Sequence, residues 1–164
     1  NIYANYAEKL EKRYANYDYS RFPESTSKFE MLLSKLQEYQ REKKGKCCII
    51  HGDTVMTNII INKYNKIKFI DMRGKVGDVH TIYGDYLYDW AKLYQSLVGY
   101  DEILQDKPLP EKYKDSMISF FENYFVELFS KEELEWVKII TKSLYFTLIP
   151  LHNNSKCEAY YRMV

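Results

Sequence analysis

Apolar positions recur at helical spacing towards both ends of this chain and in short continuous runs between them. Over residues 2–17, Ile2, Tyr6, Leu10, Tyr14 and Tyr17 return every three or four positions, the period of one helix face. Ser27 and Glu30 form a capping-box pair, and Phe29, Leu32, Leu33, Leu36 and Tyr39 continue as a second helical stripe that Gly45 ends. The pattern then changes. Residues 47–50 read as a buried strand and residues 58–62 as a second. Residues 67–70 form a third, with the partial alternation of a half-buried face. Lys63-Tyr64-Asn65-Lys66 suits a hairpin turn between the last two. Residues 74–84 are mostly polar and read as a loop that carries an exposed His80. Helical spacing returns over 85–98, with Gly99 as its stop, and Pro108 and Pro110 punctuate a linker. Tyr113, Met117, Phe120, Phe121, Tyr124 and Leu128 mark a further helix. A second capping box, Ser130 and Glu133, opens the last long helix, which runs to just before Pro150. The elements sum to an α+β chain, mostly helical, forming a single domain over 1–164 with a few short strands.

The junctions of those strands carry the candidate chemistry. His51-Gly52-Asp53 follows the first strand, Asn58 opens the second, and Ile70-Asp71 closes the third. Phosphoryl transfer needs one carboxylate to orient the attacking hydroxyl. It also needs a carboxylate and an amide oxygen to hold magnesium on the nucleotide phosphates. Asp53 fits the first role, and Asn58 and Asp71 fit the second, because a hairpin brings them close together.

These residues, with Gly84-Asp85-Tyr86-Leu87-Tyr88-Asp89-Trp90-Ala91-Lys92-Leu93, resemble the aminoglycoside phosphotransferase and choline kinase group, distantly similar to protein kinases. The resemblance covers about residues 28 to 130. The stretch from Asp71-Met72-Arg73-Gly74 to Leu93 looks like members found in surface-polysaccharide gene sets. The resemblance implies an ATP-dependent phosphotransferase acting on a small-molecule hydroxyl, of a sugar or amino alcohol, with ATP and Mg2+. It implies Asp53 as catalytic base, Asn58 and Asp71 as magnesium ligands, His51 as a brace of the catalytic loop, and Asp85 as its support from below. Where many relatives carry His or Pro in the loop, this chain has Thr54-Val55-Met56-Thr57, so no cation there meets the moving phosphoryl group. Arg73 either supplies that charge or forms a surface salt bridge. The strand Lys and the phosphate-covering loop of a nucleotide lobe have no counterpart before residue 47, and no Gly precedes Gly45. The chain therefore reads as the C-terminal lobe of a kinase-like protein whose N-terminal lobe is absent, inactive alone. A one-lobe relative, or a non-catalytic binding module that keeps the fold, is the alternative.

Composition narrows the class further. A net charge of +1 gives no electrostatic case for nucleic acid or an anionic membrane. Lys43, Lys44 and Lys46 read as a solvated helix end. The three cysteines, two of them adjacent, make neither a disulfide framework nor a metal spacing. With no signal peptide or membrane-length apolar run in the part shown, they suit reduced thiols in a cytoplasm. The 17 tyrosines reflect either a biased genome or a carbohydrate-binding surface of aromatic rings.

Overall fold

The computed structural model describes residues 1–152 and 154–164, and shows an α+β, mostly helical chain. Helices α1 (Ala7–Ala15) and α2 (Ser25–Arg41) form an antiparallel pair. Strands β1 (Cys47–Ile49), β2 (Ile59–Ile61), β3 (Ile67–Phe69), β4 (Lys75–Val76), β5 (Val79–His80) and β6 (Tyr83–Asp85) follow. Helices α3 (Tyr86–Gln95), α4 (Asp101–Gln105), α5 (Glu111–Leu128), α6 (Lys131–Leu148) and α7 (Asn154–Arg162) complete the chain.

Helix α6 is the spine, because Val137, Ile140, Leu144, Tyr145 and Phe146 bury its inner stripe. Leu87 and Ala91 of α3, Leu32, Leu36 and Tyr39 of α2, and Phe125 of α5 close round it in one core. The Ser130 cap at its start forms. Ser130 Oγ accepts from Glu133 N–H at 3.1 Å and donates to the Glu133 carboxylate at 2.8 Å. The box expected at Ser27 does not form. Helix α2 begins earlier, at Ser25, because the buried Tyr19 and Phe22 turn the chain inward and Ser25 Oγ donates to the Tyr19 carbonyl. The first helix is also shorter than its stripe, since residues 2–5 form turns.

Among the described residues the strands form three two-stranded antiparallel sheets: β1 with β6, β2 with β3, and β4 with β5. The expected loop 74–84 thus holds a hairpin and the partner of β1. The expected hairpin 59–69 forms in register, with Ile59 opposite Phe69 and Ile61 opposite Ile67. It is not buried as its composition predicts. Ile61 is 62% exposed, Ile67 60% and Phe69 50%, since no layer of the described residues covers that face. Gly99 breaks the third long helix as expected. The chain widens into π-type turns over 96–100 and passes Gly99 at φ 143. Beyond this kink the short helix α4 resumes and ends at Asp106, which takes the left-handed conformation. Tyr145 OH donates to the Gln95 carbonyl where the winding loosens, at 2.8 Å.

Eight of the 17 tyrosines are buried in the core, while Tyr64, Tyr83, Tyr113 and Tyr124 are exposed at separate places along the chain. The lysines after α2 serve a tertiary contact: Lys44 pairs with Glu132 and Lys46 with Glu133, at the start of α6. No helix among the described residues is long and apolar enough to cross a membrane.

Candidate active site

The loop after β1 is built by its backbone. Gly52 has φ +81, and a Cβ there would stand 2.9 Å from Arg73 Cβ, so glycine alone lets Arg73 close on the loop. His51 N–H and Gly52 N–H each donate 2.7 Å bonds to the two carboxylate oxygens of Asp89, in the first turn of α3. The Thr54 hydroxyl donates to the Asp89 carbonyl, and Met56 N–H to Ser96 Oγ at 2.9 Å. Both ends of the loop are therefore tied to one helical run.

Asp53 sits half-buried at the centre of this arrangement. Its Oδ1 lies 2.9 Å from Lys92 Nζ, and its Oδ2 accepts from Asn58 Nδ2 at 3.2 Å. Asn58 Nδ2 also donates to the Asp53 carbonyl at 2.9 Å. With its nitrogen engaged on Asp53, the Asn58 amide presents its oxygen elsewhere. Ile70 N–H donates to the Asn58 carbonyl at 3.0 Å, so Asp71 follows directly at the same end of the β2–β3 hairpin. Asp71 is exposed at φ +57, and its carboxylate has no partner among the described residues.

The remaining named residues fall close by, with one exception. His51 Nδ1 accepts from Asp53 N–H at 3.3 Å, which puts the proton of the neutral ring on Nε2. That buried Nε2 has no partner among the described residues. Arg73 N–H donates to the His51 carbonyl at 2.9 Å and its guanidinium to Tyr88 OH at 3.1 Å. It makes no ion pair among the described residues, so the salt-bridge alternative has no acid to pair with. The exception is Asp85. It ends β6 and accepts from Tyr6 OH at 2.6 Å, Tyr39 OH at 2.8 Å and Lys46 N–H at 3.1 Å. The support expected of it beneath the loop comes from Asp89, four residues on. Burial raises the carboxyl pKa of both acids against the pull of their hydrogen bonds.

Lys92 escaped the sequence reading as a functional residue. It is buried, and besides Asp53 it donates to Gln95 Oε1 at 3.2 Å. Tyr88, Lys92, Gln95 and Ser96 follow one another at four, three and one positions along the helical run. That polar stripe opposite the apolar one was the available clue.

Among the described residues no three His, Cys, Asp or Glu side chains group to hold a metal. The amide oxygen of Asn58 and the carboxylate of Asp71 are hard donors of the kind magnesium takes when phosphate and water complete its shell. No family model, curated protein or solved structure matches this chain.

Proposed function

We propose that this chain is the catalytic lobe of an ATP-dependent phosphotransferase acting on a hydroxyl of a small molecule, on a kinase-like fold. One observation carries the reading. Asp53 is held between Lys92 and Asn58, while Asn58 and Asp71 meet at one end of a hairpin. The acceptor hydroxyl donates its hydrogen bond to Asp53, which places the oxygen in line with the γ-phosphorus. The new P–O bond forms as the bond to the β-phosphate oxygen breaks. The hydroxyl proton passes to Asp53 and ADP leaves. Asn58 and Asp71 would hold magnesium, which when bound neutralises charge on the nucleotide phosphates. Arg73, seated on the loop, supplies the cation that Thr54 to Thr57 lack. The exposed Ile61, Ile67 and Phe69 along the hairpin that opens at Asn58 offer an apolar surface to the nucleobase and to a nucleotide lobe.

The test uses the polypeptide that carries this chain together with a nucleotide lobe. Its ADP release is followed with sugars and amino alcohols as acceptors. Asp53→Asn is expected to lower turnover by about 100-fold or more with nucleotide affinity nearly intact. Near-normal kcat in that variant would refute the assigned base. Tight magnesium-nucleotide binding without turnover on any acceptor would favour a binding module instead.

A further inference from the structure

A cavity of about 480 Å³ opens between α1 and the segment that follows Asp71. Lys9, Lys12, Arg13, Arg73 and Lys75 line it, against two acids, Glu8 and Asp78. The first three sit at i, i+3 and i+4 on α1, which puts them on one face of the helix. The opposite wall is fixed in place. The buried Asn5 accepts from Gly77 N–H at 3.1 Å, and this seats the tip of the β4–β5 hairpin on the start of α1.

Five cations converging on one cavity repel one another unless something negative joins them. Glu8 and Asp78 share the wall, but neither pairs with a cation among the described residues. None of the five forms an ion pair among the described residues, and the hydrogen bond from Arg73 to Tyr88 goes to a neutral hydroxyl. Lys9 shows the cost. Burial, then the neighbouring charges of Arg73, Lys92 and Arg13, bring its ammonium pKa down to about 7, with Asp53 pulling the other way. The same neighbours place the cavity next to the reacting centre. Lys9 lies within the fields of both Asp53 and Lys92, and Arg73 is shared by the cavity wall and the catalytic loop.

We infer that this cavity is the far end of the acceptor site, and that it holds a phosphate monoester already carried by the alcohol that Asp53 activates. The Arg13 guanidinium and the ammonium groups of Lys12 and Lys75 match a dianion with three acceptor oxygens, whose arrival favours the charged form of Lys9, while Arg73 stands between this end and the catalytic loop. The volume suits a phosphorylated monosaccharide. A neutral or cationic acceptor would leave this positive field uncompensated. The acceptor assignment rests on the phosphotransfer reading, whereas the anion site itself does not.

Binding is measured on this chain at constant ionic strength, without nucleotide, by titrating inorganic phosphate, glucose 6-phosphate and glucose. Phosphate and glucose 6-phosphate are expected to bind, the latter at least about tenfold more tightly than glucose. Lys9→Gln with Arg13→Gln is expected to weaken both by about tenfold or more, and Lys63→Gln, on the distant hairpin turn, to leave them unchanged. Should the double variant fail to fold, Lys9→Met alone carries the comparison. Equal affinity for glucose and glucose 6-phosphate, or full affinity in the Lys9 variants, would overturn the anion site and leave the chemistry at Asp53 standing. Unimpaired turnover in Asp53→Asn would have the opposite effect.

Discussion

Lys92 is the residue whose role is most exposed to test. An ammonium 2.9 Å from Asp53 fixes one carboxylate oxygen and leaves the other to Asn58. Lys92→Met keeps the length and the buried stem but releases that oxygen. Asp53 stays 39% exposed at its side chain and so remains hydrated. The buried Gln95 Oε1 does lose its donor, so stability should fall by about 1–3 kcal/mol. Turnover should fall by about tenfold or more, with little change in acceptor KM, because orientation and not affinity is lost. Paired denaturation and kinetic measurements separate the two, and unaltered kcat would remove Lys92 from the site. Asp89 behaves differently. It receives two loop N–H groups, so Asp89→Ala leaves both without their acceptor and should cost about 2–4 kcal/mol by urea denaturation. A loss under about 1 kcal/mol would mean that the loop holds itself. The sequence located this cluster of polar side chains more closely than the groups that hold it. Asp53, Asn58 and Asp71 are legible as neighbours because each lies at a strand end that a short hairpin brings together. The choice between Asp85 and Asp89 is not. Both acids sit near the start of α3, and only tertiary pairing decides that Asp85 turns to the tyrosines and Asp89 to the loop.

At the level of elements, what could be read was what local chemistry encodes. The Ser130 cap and the β2–β3 hairpin depend on residues close in sequence, and both form. The partner of β1 does not. Tyr83-Gly84-Asp85 pairs with Cys47-Cys48-Ile49 across more than thirty residues and has no strand pattern of its own. Helix α7 follows a proline that reads as an end, and it is held from outside by contacts such as Tyr161 OH to the Pro23 carbonyl. The β4–β5 hairpin is the least legible element, two residues per strand, and its place depends on one glycine. Gly77 has φ +57, and a Cβ there would lie 2.8 Å from Ala4 Cβ. Gly77→Ala adds left-handed strain and a steric clash at the same point. The expected result is a loss of about 1–2 kcal/mol and weaker phosphate binding in the neighbouring cavity, because the wall carrying Lys75 moves off α1. Thermal denaturation and the phosphate titration check both halves. Wild-type affinity in Gly77→Ala would mean that the hairpin does not shape the cavity.

On the scale of the whole molecule, Asp85 is the tie between the N-terminal helices and the strands that carry the site. Tyr6 reaches it from the start of α1 and Tyr39 from α2, while Lys46 N–H joins it at the threshold of β1. The three rings of Tyr3, Tyr6 and Tyr39 stand edge-on or tilted to one another within 6.3 Å, so the carboxylate is roofed by aromatic surface. Burial there raises the Asp85 pKa above its unfolded value, and the hydrogen bonds from Tyr6, Tyr39, Lys46 and Leu87 only partly offset the rise. The sign of the pH dependence follows. A carboxyl that binds its proton more tightly when folded contributes stability below its unfolded pKa, and that contribution is lost as pH rises through the folded value. Asp85→Asn keeps a neutral side chain of the same shape and no longer titrates, and Asp89 is common to both proteins and cancels. Urea denaturation of the two from about pH 4 to about pH 7 should therefore show the unfolding free energy of the wild type falling relative to the variant as pH rises. A difference that stayed flat, or that grew in favour of the wild type, would show that the hydrogen bonds outweigh the desolvation and that Asp85 holds the helices to the strands as a stabilised carboxylate.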